Sequence, residues 1–319
     1  METPNKQATD SSFSCGPGFG SASLSGEGGG YGFGRIEERL AQQILMEAWD
    51  LGVRVFDTAP IYGYGLAEER LGRYLPPEAL LINKGGISWH SNKRVNLTND
   101  PQVIEAMFYS SLKRLGREKI HGYMIHWPDP KVDIRKPYEV LLRLKESRLV
   151  DCIGLSNPCP NDLAKILDFA PLDVVQLEAS FFEPSKLRAL TQALKTPPAQ
   201  RSPWVTGWGT LGKGLLTGRV YKGRQFDKED ARSWAPWWKN MNIQKLAEDA
   251  KPFLSLAQEL SLQPATLAFI YSADVLGVHC PLMGLKTPSD LDFLIELNQL
   301  PSEKREAASQ ALQSLKRTY

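Results

Sequence analysis

Cysteine is scarce in this sequence, and its few copies are scattered. The 319 residues include four cysteines, with no CxxC pair among them: Cys15, Cys152, Cys159 and Cys280. This spacing is unlike a disulfide framework or a zinc site, and it predicts free thiols in a reducing compartment. Three histidines have no second ligand at helical or strand spacing, namely His90, His121 and His279. We therefore expect no bound metal.

Long runs of one charge sign or of apolar residues are also missing. The formal net charge is +2 and no polybasic stretch occurs, so nothing indicates binding to nucleic acid or to an anionic membrane. No apolar run approaches the roughly 18 residues of a membrane span. The opening METPNKQATDSS is polar and has no signal-like apolar stretch. We expect residues 1–12 to be disordered, the protein to be cytoplasmic and its partner to be a small molecule.

Two common phosphate-binding loops are absent. The glycine-rich segment before Gly34 and the segment GTLGKGLLTG both lack the Lys-Ser or Lys-Thr ending of a Walker loop. The segment GYGLAEERLG does not fit the GxGxxG pattern of a Rossmann dinucleotide site. A nucleotide bound by this chain therefore needs a different phosphate cradle.

The sequence does contain a regular alternation of strand-like and amphipathic segments. After the first strand, the candidates are VRVFDT, ALLINK, GYMIH, VDCIGLSN, VVQLEAS, WVTGWG and GVHCPLMG. Helical patterns lie between them, as from Ile36 to Leu51, where apolar residues recur every three to four positions. The first strand falls in glycine-rich sequence, at about Phe13–Ser21. The alternation predicts an α/β protein, and the chain is long enough for one (β/α)8 barrel domain over residues 13–319.

Four chemically useful side chains follow strand-like segments in the first half of the chain: Asp57, Tyr62, Lys84 and His126. The carboxyl ends of the strands of a parallel barrel converge on one face. A tyrosine there can protonate the alkoxide formed from a carbonyl, although its ordinary pKa of about 10 makes it a reluctant donor near neutrality. We expect Lys84 to lower that pKa, Asp57 to hold the lysine charge, and a neutral His126 to orient the carbonyl. The set predicts a redox enzyme that reduces carbonyls.

The segments around these residues resemble the aldo-keto reductase family. FDTAPIYGYGLAEERLG is the most specific match, and YSSLKRLGREKIHGYMIHWPDP, LKESRLVDCIGLSN, VVQLEAS and KGLLTGR follow in the family's order. The resemblance extends from about Gly18 to Leu297. It implies a TIM barrel, an NADP(H) cofactor extended over the carboxyl face, and reduction of aldehydes or ketones to alcohols by hydride transfer. The family's catalytic set falls on the four residues named above.

The resemblance also implies how the cofactor binds. Ser156, Asn157 and Gln176 match positions that hold the nicotinamide carboxamide, and Trp208 would stack on the nicotinamide ring. Main-chain groups from Gly209 to Gly214 would meet the pyrophosphate, with Gly209, Leu211 and Gly214 as the expected contacts.

The segment MGLKTPSDLDFL is similar to the family's site for the 2′-phosphate. Gly284, Lys286 and Thr287 are the expected contacts. Asp290 and Leu294 depart from the family, which commonly has an arginine or glutamine and an asparagine there, and an acidic group near a phosphate is unfavourable. NADP(H) is the expected cofactor, with NAD(H) as the alternative.

Aromatic residues beyond the strand ends suggest the walls of a substrate pocket, namely Trp89, Trp127 and Phe181. They would suit a small carbonyl compound or a sugar-like substrate. A long loop with Trp234, Trp237 and Trp238 would form either a lid or packing against the barrel rim. We expect a monomer or a weak homo-oligomer.

Other functions of the same fold remain open. DTAPIYGYGL is similar to the branch of the family that oxidises aldoses with NAD, so an NAD-dependent aldose dehydrogenase is one alternative. A non-catalytic nicotinamide-binding subunit of an ion channel is another, although the short polar segment before the fold counts against it. In a third alternative the tryptophan-rich loop blocks the pocket, so that the barrel binds cofactor without turnover.

Overall fold

Eight short parallel strands close into a barrel in the computed structural model, which describes residues 16–26, 31–194, 203–219 and 225–315. The strands in chain order are β1 (Gly18–Gly20), β2 (Val55–Asp57), β3 (Leu80–Gly85), β4 (Ile87–Trp89), β5 (Val95–Leu97), β6 (Ile120–Ile125), β7 (Val150–Ser156), β8 (Val174–Glu178), β9 (Trp204–Trp208) and β10 (Cys280–Met283). The barrel follows the order β1-β10-β9-β8-β7-β6-β3-β2 and returns to β1. β4 and β5 form a separate antiparallel hairpin. The predicted (β/α)8 barrel is confirmed.

Helices follow the barrel strands and cover their outer side. They are α1 (Glu38–Asp50), α2 (Leu66–Tyr74), α3 (Pro101–Leu115), α4 (Arg135–Glu146), α5 (Pro160–Phe169), α6 (Ser185–Leu194), α7 (Ala231–Trp234), α8 (Pro236–Lys239), α9 (Ile243–Glu259), α10 (Pro264–Ile270), α11 (Asp292–Gln299) and α12 (Ser302–Ser314). Single 3₁₀ turns occur at Ser21–Leu24, Tyr62–Gly65, Gly212–Thr217 and Pro288–Asp290. Within the described ranges, none of the helices is long and apolar enough to cross a membrane.

The boundaries of α3 show how local sequence fixes a helix. The carboxylate of Asp100 accepts hydrogen bonds from the backbone N–H groups of Gln102 and Val103, so it caps the amino end. Pro101 occupies the first turn, where its missing N–H costs nothing. Gly116 ends the helix in the left-handed conformation at φ 59°.

Two apolar cores hold the barrel together. One fills its interior with the side chains of Val55, Ile82, Met124, Cys152, Val174, Cys280 and Leu282. A larger one lies between the strands and the surrounding helices. Gly154 of β7 is required for close packing, because a Cβ there would lie 1.9 Å from the carbonyl oxygen of Val174.

Several sequence predictions need correction or fall outside the described residues. The first strand, predicted at about Phe13–Ser21, spans Gly18–Gly20 among the described residues, and it ends there because Ser21 starts a 3₁₀ turn. The helix predicted from about Ile243 is confirmed as α9. The region before it is not a plain loop, since it contains the short helices α7 and α8. Residues 1–12, predicted to be disordered, lie outside the described part of the chain.

Candidate active site

The strand register brings the predicted catalytic residues to one face of the barrel. Asp57 ends β2 and is paired with Ile82, and Lys84 follows two residues later on β3. His126 comes directly after β6, where its backbone N–H donates to the carbonyl of Gly85 at 2.8 Å. All of these positions are at the carboxyl ends of parallel strands, which is where barrel enzymes place their chemistry.

Lys84 and Asp57 form a buried ion pair. The Lys84 Nζ atom lies 2.6 Å from Asp57 Oδ1, and the two side chains are 0% and 5% exposed. Nζ also donates to the carbonyl of Thr58 at 3.0 Å, and Asp57 Oδ2 accepts from Gln176 Nε2 at 2.8 Å. Burial lowers the pKa of Lys84, and the neighbouring carboxylate opposes that change. The pair therefore fixes a cation and an anion where water has little access.

Tyr62 starts a tight turn above this ion pair. Gly63 and Tyr64 both have positive φ, and a Cβ on Gly63 would lie 1.9 Å from the carbonyl oxygen of Ser25, so only glycine fits there. The turn sets the Tyr62 ring 5.3 Å from Lys84 Nζ, measured to the ring centre. Its edge-to-face contact with His126 has a centroid distance of 5.8 Å.

The electrostatics of Tyr62 differ from the sequence prediction. Lys84 was expected to lower the pKa of the phenol, whereas burial raises it well above the usual value and the charge of Asp57 adds to the increase. The ammonium of Lys84 is paired with that same carboxylate. Tyr62 consequently stays protonated at neutral pH, which is the form that a proton donor needs.

His126 is buried and neutral. Burial holds its pKa well below the usual range, and the nearby charge of Lys84 lowers it further. A neutral imidazole carries one N–H donor and one acceptor nitrogen. His126 can therefore donate a hydrogen bond to a carbonyl oxygen without bringing a charge to the site.

Three predicted cofactor contacts extend the polar network of Asp57. Gln176 Oε1 accepts from the Ser156 hydroxyl at 3.2 Å while its amide nitrogen donates to Asp57. Ser156 in turn accepts from Asn157 Nδ2 at 3.0 Å. Gln176 keeps a second N–H and a second lone pair after these bonds. This donor and acceptor pair fits a primary carboxamide such as that of nicotinamide.

Trp208 ends β9 beside this network. Its indole Nε1 donates to Asn157 Oδ1 at 2.9 Å. Lys213 Nζ lies 5.5 Å from the centre of the indole ring and pairs with the carboxylate of Glu178. The flat indole is thus held at its edge and on one face, and an aromatic ligand ring fits its other face.

The chain after Trp208, where the sequence predicts the pyrophosphate contacts, is a glycine-rich turn. Gly209, Gly212 and Gly214 have φ values of 73°, 55° and 93°, and Leu211 lies between them at the start of the Gly212–Thr217 turn. A Cβ on Gly212 would lie 2.6 Å from the ring of Phe182. The N–H groups of Gly212 and Gly214 donate within the turn to the carbonyls of Gly209 and Leu211, at 2.7 and 3.0 Å, so two of the predicted main-chain donors are already bonded inside the protein.

The predicted adenosine end lies beyond β10. Gly284 packs near Ser23, and the Lys286 ammonium donates to the carbonyl of Phe33. Asp290 accepts from the backbone N–H groups of Lys286 and Thr287, each at 2.9 Å. A carboxylate therefore already occupies these main-chain donors.

The predicted substrate walls divide into two groups. Trp89 lies on β4 and meets the ring of Tyr64 at 5.2 Å, and Trp127 is largely exposed next to His126. Phe181 lies elsewhere: it is 2% exposed and packs against Phe253 and Tyr271 in the outer core. The ring of Phe181 is therefore part of the core and not of an exposed pocket wall.

The tryptophan-rich segment packs against the barrel rim. Trp238 is buried with Leu215 and Phe226, whereas Trp234 is partly exposed and lies 6.4 Å from the ring of Tyr31. The side chain of Trp237 lies outside the described part of the chain. Packing against the barrel rim was one of the two predicted roles of this segment, and Trp238 packs in this way.

The family assignment follows from the match of the whole barrel. The sequence model of the Aldo/keto reductase family matches residues 18–312. The chain belongs to the aldo/keto reductase family. It is accordingly an NAD(P)H-dependent oxidoreductase built on a (β/α)8 barrel.

Three relatives show how similar the chain is to known members of the family. Aldo-keto reductase YhdN of Bacillus subtilis (strain 168) is 27% identical over 282 residues, which cover 84% of this chain and 82% of the relative. The NADH-specific methylglyoxal reductase of Escherichia coli (strain K12) is 26% identical over 274 residues, covering 81% and 82%. The solved structure of glycerol dehydrogenase AKR11B4 from Gluconobacter oxydans has a TM-score of 0.75 at 26% identity, covering 93% of this chain and 91% of that chain.

The sequence predictions missed two features of this aldo/keto reductase near the site. The β4–β5 hairpin packs its Ile87, Trp89 and Val95 against Tyr62 and Tyr64. A signal was present, because two short apolar alternations, ISW and VNL, flank the polar turn HSNKR. Tyr64 itself has a left-handed φ of 55°, which sequence propensity does not predict for an aromatic residue.

Proposed function

We propose that this enzyme reduces the carbonyl group of a small aldehyde or ketone with a reduced nicotinamide cofactor, using Tyr62 as the proton donor. The observation that supports it is the buried Lys84–Asp57 ion pair beneath Tyr62, with a neutral His126 at the edge of the same ring. Burying two charges has a large desolvation cost, and a buried ion pair beside other titratable side chains is typical of a functional site.

Each of the four residues has its own role in this reaction. His126 donates a hydrogen bond to the carbonyl oxygen and orients it. A reduced nicotinamide, held by Ser156, Asn157, Gln176 and Trp208, would supply the hydride for the carbonyl carbon. Tyr62 gives its phenolic proton to the oxygen, so that the carbonyl becomes an alcohol and the cofactor is oxidised. Lys84 stabilises the tyrosinate that remains, and Asp57 keeps the ammonium in place.

For the cofactor, we propose NADP(H), with the phosphate of its adenosine end near Lys286 and Arg219. Arg219 pairs with Asp290 at 2.6 Å, so a cation is already at this position. NAD(H) is the alternative, because Asp290 opposes a second anion and the E. coli relative is named as NADH-specific.

For the substrate, we propose a small oxygen-rich carbonyl compound. The rings of Trp89 and Tyr64 pack against each other in the cluster that includes Tyr62, whose ring contacts His126. The relatives named for methylglyoxal reduction and glycerol oxidation act on small molecules of this kind. Oxidation of the corresponding alcohol is the same chemistry in reverse, and the cellular ratio of oxidised to reduced cofactor sets the direction.

The proposal is tested by titrating the protein with NADPH and with NADH while following the quenching of tryptophan fluorescence. The tighter cofactor is then supplied with a panel of aldehydes, ketones and sugars, and its oxidation is followed by absorbance. We expect tight binding and turnover of at least one small carbonyl compound. Tight binding without turnover across the panel would favour the cofactor-sensing alternative.

A further inference from the structure

Asn99 lies between β5 and α3, on the segment by which the chain leaves the β4–β5 hairpin. Its side chain is fully buried although it belongs to a loop. We infer that Asn99 is a positioning residue, which holds the loop after His126 against the base of the hairpin and so fixes His126 in relation to Tyr62. The kinetic part of the inference rests on the proposed function, whereas the contacts belong to the cofactor-free protein.

The amide of Asn99 bonds to the backbone of the His126 loop at two points. Its Nδ2 donates to the carbonyl of Trp127 at 3.1 Å, and its Oδ1 accepts from the backbone N–H of Asp129 at 2.8 Å. Trp127 directly follows His126, so the first bond is at the next residue along the chain. A primary amide can donate and accept at the same time, which an apolar side chain of the same size cannot do.

The backbone at the end of β3 anchors both partners of this contact. The carbonyl of Gly86 accepts from the backbone N–H of Thr98 at 2.9 Å, and the carbonyl of Gly85 accepts from that of His126 at 2.8 Å. Gly86 also leaves room for the amide, because its φ is 105° and a Cβ there would lie 2.8 Å from Asn99 Nδ2. The Asn99 side chain therefore joins two segments that are each bonded to β3 or to the residue after it.

The hairpin extends this connection to Tyr62. In the barrel β3 lies between β2, which precedes Tyr62, and β6, which precedes His126. Ile87 and Trp89 of the hairpin after β3 lie in one apolar cluster with Tyr62, and the chain that leaves the hairpin holds the His126 loop through Asn99. Both proposed hydrogen-bond donors to the substrate oxygen are thus tied to the same insertion, so loss of the Asn99 bonds should misplace one donor relative to the other.

Hydrogen exchange of the cofactor-free protein tests the contact itself, with each backbone amide followed by nuclear magnetic resonance. Asn99→Leu keeps a side chain of similar shape and removes both bonds. We expect the Asp129 amide, which loses its acceptor, to exchange with solvent faster by a factor on the order of 10. Asn99→Asp retains an acceptor oxygen and should restore most of the protection at Asp129.

The variant Asn96→Leu serves as the matched control. Asn96 lies in β5, and its Nδ2 is 3.4 Å from the hydroxyl of Ser88 on the opposite strand of the hairpin. Its replacement makes the same change of residue type in the same hairpin without removing a bond to the His126 loop. We expect the exchange of the Asp129 amide and the turnover to remain at their wild-type values.

Kinetics test whether Asn99 acts through His126. Asn99→Leu should lower kcat on the order of 100-fold, while the dissociation constant of the cofactor, measured by calorimetry, stays close to that of the wild type. His126→Gln removes the group that Asn99 positions, so adding Asn99→Leu to His126→Gln should lower kcat little further. A purely structural role would instead add its own loss of kcat in both backgrounds.

Wild-type exchange of the Asp129 amide in Asn99→Leu would overturn the inference, as would wild-type kcat in that variant or a full additional loss of kcat in the His126→Gln background. If the wild-type protein turned over no carbonyl compound, the proposed function would fail, while the exchange experiment would still decide whether Asn99 holds the His126 loop.

Discussion

The rings of Tyr62 and His126 meet edge to face, with an interplanar angle of 89° and centroids 5.8 Å apart. One residue follows β2 and the other follows β6, so the barrel closure brings two hydrogen-bond donors together from distant parts of the sequence. A phenol and a neutral imidazole each carry one donor. A carbonyl oxygen between them can accept from both.

The neutral state of His126 makes protein stability depend on pH. In the unfolded chain a histidine takes up a proton as the pH falls below about 6.5, whereas burial keeps folded His126 neutral there. The unfolded state then binds more protons, so the free energy of unfolding falls as the pH falls, by up to about 1.4 kcal/mol per pH unit.

This dependence is measured by urea unfolding from pH 7.5 to 5. His126→Gln should be less sensitive to pH over that window than the wild type. Identical pH profiles for the two proteins would show that folded His126 titrates like a free histidine.

Replacing Lys84 by methionine should destabilise the protein by about 3–5 kcal/mol, because it leaves the buried Asp57 carboxylate without its cation. The double variant Asp57→Asn with Lys84→Met removes both charges and should recover most of this loss. Both variants should lose turnover. The measurement is the urea midpoint of the cofactor-free proteins, and equal stability of Lys84→Met and wild type would count against the buried pair.

A second buried pair fixes the segment before α9. Arg232 and Asp230 are each 6% exposed in their side chains and lie 2.7 Å apart, and Arg232 also stacks over the ring of Phe226. Arg232→Met should cost about 3–5 kcal/mol by leaving Asp230 unpaired. Arg135→Met breaks a solvent-exposed pair with Asp133 and is the matched control, with a much smaller expected loss. Similar thermal midpoints in the two variants would contradict the prediction.

The sequence predicted for a physical reason that the four candidate catalytic residues would meet. Parallel strands present their carboxyl ends on one face, so residues at those ends converge even though Asp57 and His126 are far apart in the chain. The buried Lys84–Asp57 pair then places one positive and one negative charge among these four side chains.

Other features could not be predicted in this way. The turn that carries Tyr62 depends on the fit of Gly63 against Ser25, which is a contact between distant segments. Phe181 was assigned to the pocket by its distance from β8, but a bridge between Ser180 and Glu183 turns the chain there, and its ring packs into the outer core. The pKa of Tyr62 is raised mainly by burial and further by the charge of Asp57, and both depend on the three-dimensional arrangement.

The central claim is that the phenol of Tyr62 donates the proton. Tyr62→Phe keeps the ring that packs against His126 and removes only the hydroxyl, so the cofactor site should be intact. The most direct measurement compares cofactor affinity and turnover of this variant with those of the wild type.

We expect a cofactor dissociation constant close to that of the wild type and a fall in kcat of about 10²–10⁴-fold, the usual contribution of a positioned general acid. Wild-type turnover in Tyr62→Phe would contradict the assignment of Tyr62 as the proton donor.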